Sequence, residues 1–305
     1  MPTTKRTLVI SDIHTDVNGA YPVVEELAAY AVKEQAECLL IAGDICENVY
    51  AVMDTVRKLK KDTGAEVYYV PGNHDMWRSG QIRLNTDEIY ELFCQDENCL
   101  CGKQVRVGEH IIVGDIGWYD YSFGDKEFRK EEFDRLEQDA RVWQDKYYNG
   151  WTKDNIGKNK WFLARIEDRL QAAAKELAGA DAENAAAGSA DAGNEEAGNA
   201  GGSAKKDERR IVAMTHMIPH RAYTVPTNDR PMWKYFNAFL GSEELGKLYR
   251  RYPVGYALCG HVHYRHDFAE GKIQYMCRCL NYASEWWGEK DVRTQIKQAA
   301  ALIEL

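Results

Sequence analysis

The sequence predicts a mixed α/β fold with parallel strands at its centre, and two observations support this. Short apolar runs rich in β-branched residues alternate with segments whose apolar residues have helical spacing, in the order strand, helix, strand, helix, strand. This alternation favours parallel pairing, because parallel strands need crossovers that cover the sheet. In addition, polar side chains directly follow several predicted strands, as is typical where strands end at a ligand site.

The elements follow in order along the chain. The first 75 residues contain strands at 5–10, 38–42 and 67–70 and helices at 21–36 and 49–60. Beyond them we predict a hairpin at 105–113 that turns at Gly108-Glu109. Two helices with many aromatic residues, mostly core-facing, are predicted at 125–148 and 155–177. Further strands are predicted at 211–214, 256–259, 273–280 and 301–305.

The elements form a single predicted domain, 1–305. Residues 76–177 form a variable, aromatic-rich region that we expect to cover the site. Residues 178–207 consist largely of Ala, Gly, Asn and acidic residues with no periodic apolar face. Such a segment buries too little surface to offset its ordering entropy, so we predict a disordered insertion there.

Composition and charge narrow the class of protein. The formal net charge of -9 disfavours a broad basic face for nucleic acid. We find no export signal and no stretch long enough to span a bilayer, so we expect a cytoplasmic protein without a membrane partner. The eight cysteines are then expected to be reduced thiols. A zinc cluster of Cys94, Cys99 and Cys101 with Cys277 and Cys279 is an alternative, although these residues lack the usual two-residue spacing.

Five polar clusters stand directly after predicted strands, and together they hold five of the eight histidines. Each cluster alone is a weak signal, because Asp and Asn are common capping and turn residues. Their joint occurrence in one order is a strong signal. The clusters are Asp12-Ile13-His14, Gly43-Asp44, Gly72-Asn73-His74-Asp75, Thr215-His216 and Gly260-His261-Val262-His263.

These clusters offer the ligand atoms of a metal site. Asp and Asn provide oxygen and His provides imidazole nitrogen, which together suit several transition metals. The set is too large for one ion, whereas two ions that share a carboxylate would use all of it. We therefore expect two divalent metal ions as cofactors, with manganese, iron (Fe2+ or Fe3+) and zinc all compatible. The neighbouring Gly43, Gly72 and Gly260 allow tight turns beside the ligands.

The five clusters resemble the D-x-H, G-D, G-N-H-D, H and G-H-x-H blocks of the calcineurin-like metallophosphoesterases, in that family's order. The resemblance covers residues 5–75 and 209–280 and implies a four-layer α/β/β/α sandwich with two mixed sheets. By the same resemblance, Asp44 bridges the two ions. The first ion is bound by Asp12, His14 and His263, and the second by Asn73, His216 and His261.

The resemblance also implies a reaction. Two ions roughly 3.5–4 Å apart would activate a bridging hydroxide for in-line attack on an anionic ester. His74 resembles the family's non-ligand histidine, which would protonate the leaving group or stabilise phosphoryl oxygens. Asp75 is expected to orient the His74 imidazole, and these two residues are the predicted catalytic pair.

The substrate class stays open. We favour hydrolysis of a small-molecule phosphodiester, with phosphomonoesterase or nuclease activity on the same site as alternatives. A protein phosphatase is disfavoured, because the serine/threonine phosphatases of this superfamily carry Asp-Arg-Gly just after the G-D block and have G-N-H-E. Here Gly43-Asp44 is followed by Ile45-Cys46-Glu47-Asn48, and the later block is G-N-H-D. A non-catalytic binding module is the weaker alternative, and the oligomeric state is undetermined. Several residues could also contact substrate or serve only in loops and packing: Arg78, Trp118, His220, Arg221, Trp286 and Trp287.

Overall fold

The computed structural model describes residues 4–78, 83–191 and 210–305. Within these ranges the chain forms twelve strands and nine α-helices. The strands are β1 (Arg6–Ile10), β2 (Cys38–Ala42), β3 (Glu66–Val70), β4 (Lys103–Val107), β5 (His110–Asp115), β6 (Glu137–Gln138), β7 (Arg141–Val142), β8 (Ile211–Thr215), β9 (Val254–Cys259), β10 (Arg265–Glu270), β11 (Ile273–Arg278) and β12 (Ala301–Glu304). The helices are α1 (Val23–Lys33), α2 (Val49–Thr63), α3 (Thr86–Gln95), α4 (Lys130–Phe133), α5 (Asp145–Tyr148), α6 (Asn155–Asp191), α7 (Trp233–Phe236), α8 (Glu243–Arg251) and α9 (Val292–Ala299).

The larger strands form two mixed sheets. The first sheet has the order β12-β1-β2-β3, with β1, β2 and β3 parallel and β12 antiparallel at its edge. The second has the order β10-β11-β9-β8-β5-β4, with the four central strands parallel and an antiparallel strand at each edge. Strand β1 also bridges to the second sheet through Ser11 and Cys279, so the two sheets meet beside the end of β1.

Apolar residues pack in three layers around these sheets. Alternate side chains of both sheets, such as Leu40 and Met214, form a buried cluster between them. The other side chains of the first sheet, such as Ile41, pack against α1, α2 and α9. The outer face of the second sheet packs against α6 and α8. This arrangement confirms the predicted four-layer α/β/β/α sandwich with two mixed sheets.

Most predicted elements are present, but the helix predicted at 125–148 is wrong. That segment contains only the short helices α4 and α5, separated by the β6–β7 hairpin. Leu136, Asp139 and Ala140 have positive φ angles, which interrupt a helix and turn the chain into the hairpin. Aromatic contacts to the core stabilise this conformation, for example between Phe133 and Tyr235, whose ring centroids are 5.2 Å apart.

The helix predicted at 155–177 extends further than expected. Helix α6 continues to Asp191 and therefore includes residues 178–191, the first part of the insertion predicted at 178–207. The remainder of the predicted insertion, 192–207, lies outside the described residues. Among the helices that the structure describes, none combines the length and the apolar character needed to cross a bilayer.

Candidate metal centre and cleft

The site forms where the carboxyl ends of β1, β2, β3, β8 and β9 come together. Hydrogen bonds between the loops after these strands fix their positions. The N–H of Asp12 donates to the carbonyl of Gly43 at 2.9 Å, and the N–H of Gly260 donates to the carbonyl of His216 at 3.0 Å. The five polar clusters, which are far apart in the sequence, therefore lie around one point.

Two groups of ligand-type side chains share one carboxylate. In each group the ligand atoms all lie within 4.8 Å of one another, and all but one of the side chains are buried. Asp44 belongs to both groups, in the position expected of a bridging ligand. The first group contains Asp12, His14, Asp44 and His263, and the second contains Asp44, His216 and His261.

Asn73 completes the second group. Its Oδ1 lies 3.1 Å from Nε2 of His216, which in turn lies 3.2 Å from Nδ1 of His261. The same His216 nitrogen is 3.3 Å from Oδ2 of Asp44. One oxygen or nitrogen atom of each side chain thus faces a common point, as a divalent ion requires.

Hydrogen bonds to the opposite ring nitrogens fix the histidine tautomers. His216 donates from Nδ1 to the carbonyl of Ala42 at 2.9 Å, and His261 donates from Nε2 to the carbonyl of Phe239 at 3.2 Å. His263 contacts Oε2 of Glu285 through Nδ1 at 2.7 Å. When the ring is neutral, the other nitrogen, which faces the site, has a free lone pair, and this is the arrangement found around metal-binding histidines.

The electrostatics of the site mostly favour the ligand forms of these groups. Burial lowers the pKa of His14 and of His261 well below the usual histidine value, so both rings are neutral. Burial alone would raise the pKa of Asp44, but the surrounding imidazoles hold it well below its usual range. Burial would likewise lower the pKa of His216, but Asp44 outweighs it and raises this pKa to about 9. The Asp44 carboxylate thus favours a positive charge beside it. These oxygen and nitrogen donors therefore fit a divalent metal ion, which would supply that charge.

Glycines allow the ligand loops to approach closely. Gly43 has a φ of 87°, and a Cβ at this position would lie 2.5 Å from Nδ1 of His216. A Cβ on Gly72 would lie 2.0 Å from Oδ1 of Asp44. Residues 43 and 72 must therefore be glycine if His216 and Asp44 are to stay where they are.

The structure places His74 at the site but contradicts the orienting role predicted for Asp75. Both oxygens of Asp75 accept backbone N–H groups, from Ile45 and Cys46 at 2.8 Å and from Gly72 at 2.7 Å. Among the described residues, Nδ1 of His74 has no hydrogen-bond partner. Backbone donors occupy both oxygens of the Asp75 carboxylate, so it links two ligand loops instead of orienting the imidazole.

Trp77 supports His74 in place of Asp75. The two rings stack with centroids 3.6 Å apart and an interplanar angle of 28°. Nε2 of His74 lies 4.0 Å from Oδ2 of Asp44 and 3.5 Å from the hydroxyl of Tyr282. The imidazole thus stands beside the ligand groups with Nε2 facing them.

The model of the family described as calcineurin-like phosphoesterase matches residues 5–265, which is well over half of the chain. The chain belongs to this family. Membership confirms the resemblance seen in the sequence and agrees with metal-dependent phosphoester hydrolysis, the predicted reaction class.

The chain is similar to two known proteins, one of them both in sequence and in structure. The chain is 30% identical over 126 residues to the [acyl-carrier-protein] phosphodiesterase PptH of Mycobacterium tuberculosis, and the alignment spans 37% of each protein. The crystal structure of the phosphopantetheinyl hydrolase PptH from Mycobacterium tuberculosis has a TM-score of 0.68 at 15% identity, covering 100% of this chain and 97% of that one. A dimetal phosphatase from Danio rerio has a TM-score of 0.49 at 14% identity, covering 90% of this chain and 86% of that one.

In this calcineurin-like chain, a cleft of about 1210 Å³ extends from the ligand groups. Asp44, Asn73, His74, His261 and His263 lie at its inner end. The wall beyond them combines apolar and aromatic residues with polar and charged ones, among them Gln144, Asp229, Arg265, His266 and Glu285. This wall includes Val142, Trp143, Val225, Arg230, Trp233, Leu240, Val262, Tyr264, Tyr282 and Trp287.

Sequence reasoning missed several residues at this site. Tyr282 and Glu285 follow β11, but Cys279 and Leu280 stand directly after that strand, so the signal given by the five clusters is absent there. Asp145 is fully buried and contacts Asn73, but it lies in a segment that we interpreted as helix. No pattern in a single sequence distinguishes this aspartate from its neighbours.

The residues for which the sequence left a role in substrate contact undecided divide into two sets. Trp287 lines the cleft and is 85% exposed. The others lie elsewhere or serve structural contacts: Trp118 donates to Asn155, Trp286 donates to the carbonyl of Leu280, Arg221 pairs with Glu243, His220 contacts Glu270, and Arg78 lines a separate small cavity.

The cysteines do not form the alternative zinc cluster in the described part of the chain. Neither ligand group there includes a cysteine. Cys99 and Cys101 pack in the apolar cluster under the first sheet, whereas Cys277 and Cys279 pack in the cluster of the second sheet. All eight cysteines are free thiols, as predicted.

Proposed function

We propose that this chain is a dinuclear metal-dependent phosphodiesterase that acts on a small-molecule phosphodiester. The observation that carries the proposal is the pair of ligand groups that share Asp44. One ion would be held by Asp12, His14, Asp44 and His263, and the other by Asp44, Asn73, His216 and His261.

Divalent ions at these positions supply Lewis-acid charge that neutralises phosphoryl oxygens and activates water. The protein contributes the geometry: the strand-end loops fix the ligand atoms before an ion arrives, and the tautomer partners keep the facing lone pairs free. His74 stands next to Asp44 on the cleft side, where it can donate a proton to the departing alkoxide. Tyr282, whose hydroxyl lies 3.5 Å from the His74 ring, can donate a hydrogen bond to a phosphoryl oxygen.

The cleft favours a diester over a simple monoester. Pockets of roughly 300–1,000 Å³ bury a drug-sized ligand, and the cleft has about 1210 Å³. A phosphate group occupies only the inner end beside the ligand groups. The apolar and aromatic residues of the wall beyond it therefore suit a substantial organic substituent on phosphorus. Phosphomonoesterase and nuclease activities are the alternatives. Comparing substrates distinguishes them from the favoured diesterase activity.

A carrier-protein phosphodiester is a second candidate substrate. The observation that favours it is the 30% identity to an acyl-carrier-protein phosphodiesterase. A prosthetic arm attached through a phosphodiester would occupy the cleft, while the carrier protein stayed outside it.

The first test compares bis-p-nitrophenyl phosphate with p-nitrophenyl phosphate in the presence of Mn2+. The wild-type protein should hydrolyse the diester faster, and His74→Ala and Asp44→Asn should each lose at least about a hundredfold in kcat. His220→Ala, which changes a half-buried histidine outside the cleft, is the matched control and should retain full activity. Equal rates in wild type and both site variants would refute the proposal.

The second candidate needs one additional substrate. Holo acyl carrier protein is incubated with the Mn2+-loaded enzyme, and its intact mass is followed. Loss of the phosphopantetheinyl arm at a rate above that of the chromogenic diester would assign the carrier protein as substrate. An unchanged carrier mass beside active diester hydrolysis would leave the small-molecule diester as the substrate class.

A further inference from the structure

We propose that Asp145 is a positioning residue for the second ion site, the group formed by Asp44, Asn73, His216 and His261. This inference rests on the metal site of the proposed function. Asp145 is the first residue of α5 and comes from the central segment, far in sequence from the five ligand clusters. Its side chain is completely buried at the inner end of the cleft.

Four donors converge on the Asp145 carboxylate. Oδ1 accepts from Nδ2 of Asn73 at 3.0 Å and from the indole N–H of Trp77 at 2.6 Å. Oδ2 accepts from the indole N–H of Trp143 at 2.9 Å and from the hydroxyl of Tyr119 at 3.3 Å. A carboxylate offers about four acceptor sites, so this one is saturated by partners that can all donate.

The contact with Asn73 determines which way its amide points. Because the amide nitrogen donates to Asp145, the amide oxygen must face the opposite side, where it lies 3.1 Å from Nε2 of His216. A flipped amide would place its carbonyl oxygen against the Asp145 carboxylate and its NH2 group toward the ion site. Asp145 therefore keeps the amide oxygen of Asn73 directed toward the second ion site before an ion binds.

The two indoles extend the effect of Asp145 to other site residues. Trp77 stacks under His74, with centroids 3.6 Å apart. Trp143 contacts His261 edge-on, with centroids 5.7 Å apart and an interplanar angle of 72°. One carboxylate thus fixes the surroundings of Asn73 and His261, two ligands of the second ion, and of His74.

The test is Mn2+ binding by metal-free protein, measured by titration calorimetry and by metal content after gel filtration. Asp145→Asn preserves the shape of the side chain but places an NH2 group among four donors. Loss of such an orienting partner typically weakens metal binding by roughly 10–100-fold. We expect that loss in the Kd of the second ion, with the Kd of the first ion unchanged.

Asp115→Asn is the matched control. Asp115 is equally buried, and it accepts hydrogen bonds from Tyr90 at 2.8 and 3.0 Å and pairs with Arg165, away from the cleft. This variant should lower the melting temperature yet bind both ions like the wild type. If Asp145→Asn lowered the melting temperature to the same extent and also bound both ions like the wild type, its role would be structural and the inference would be wrong.

A double-variant comparison tests whether Asp145 acts through Asn73. Asn73→Ala should weaken binding of the second ion, and adding Asp145→Asn should weaken it further by less than about twofold, because the effects of coupled residues are not additive. A further tenfold weakening of the second ion would overturn the inference that Asp145 acts through Asn73. Binding of fewer than two ions by the wild-type protein would overturn the proposed metal site itself, and the inference with it.

Discussion

At the scale of single residues, the ligand loops combine reactive side chains with an unusual backbone. Left-handed conformations are uncommon for residues other than glycine and cluster at functional sites, where the surrounding structure stabilises them. Here the loop-to-loop hydrogen bonds provide that stabilisation. The predicted ligands with positive φ angles are Asp12, His14, Asp44, His261 and His263.

Asp75 is one of the residues that stabilise this backbone, and Asp75→Asn tests its contribution. The substituted amide would face at least one of three buried backbone donors with its own NH2 group. An unsatisfied buried donor costs about 1–3 kcal/mol, so the free energy of unfolding measured in urea should fall by about that amount. Metal-dependent turnover should fall together with it.

Asp16→Asn is the control for Asp75. Asp16 accepts the N–H of Glu47 at 2.9 Å, but it lies at the surface, where water can replace the hydrogen bond. It should change the free energy of unfolding by less than about 0.5 kcal/mol. An Asp75→Asn protein as stable as the wild type would show that the loops do not depend on this carboxylate.

At the scale of elements, the site depends on strand ends that glycines bring together. Gly43→Ala would force a Cβ to within 2.5 Å of the His216 ring, in addition to the strain of a φ of 87°. We expect loss of the second ion and at least a tenfold decrease in turnover, measured by metal content and diester hydrolysis.

Gly64→Ala separates the strain of a positive φ angle from the close contact of an added Cβ. Gly64 has a φ of 70° at the end of α2, but no atom lies within 4 Å of a Cβ added there. Its alanine variant should lose about 1 kcal/mol of stability, the cost of a left-handed alanine, and retain wild-type turnover. Equal turnover in the two alanine variants would contradict the role of close approach at Gly43.

The sequence predicts the strands and the convergence of the polar clusters, because both follow from local patterns at strand ends. Buried strands such as β2 read as uninterrupted apolar runs, and Asp44 follows β2 directly. The helix predicted at 125–148 fails because three positive φ angles and contacts to the core override the local pattern. Asp145 was missed for a related reason: its function comes from four partners that only the tertiary structure brings together.

At the scale of the whole molecule, the cleft joins surfaces from distant parts of the chain. The strand ends of the two sheets supply the polar clusters at the inner end. Residues 142–145, the segment that leads into α7, and the residues around β10 and after β11 supply the outer walls. Trp143 and Trp233 belong to these outer walls. Substrate recognition is therefore expected to depend on residues that the ligand clusters do not reveal.

Trp233→Ala tests the outer wall. The loss of an aromatic contact of about 0.5–1.5 kcal/mol corresponds to a roughly twofold to tenfold higher KM for a diester with a large substituent. The KM for methyl p-nitrophenyl phosphate, which does not reach the wall, should be unchanged. Trp161→Ala, an exposed tryptophan outside the cleft, should leave both KM values unchanged. Equal effects of Trp233→Ala on the two substrates would contradict the assignment of this wall.

The central claim is that two metal ions sharing Asp44 act together on a phosphodiester. The most direct measurement is hydrolysis of bis-p-nitrophenyl phosphate by metal-free protein during titration with Mn2+, with bound metal counted at each step. Turnover should follow occupancy of the second site and level off at two ions per chain, and Asp44→Asn should remain inactive at every ratio. Full turnover at one bound ion, or two bound ions without any turnover, would contradict the claim.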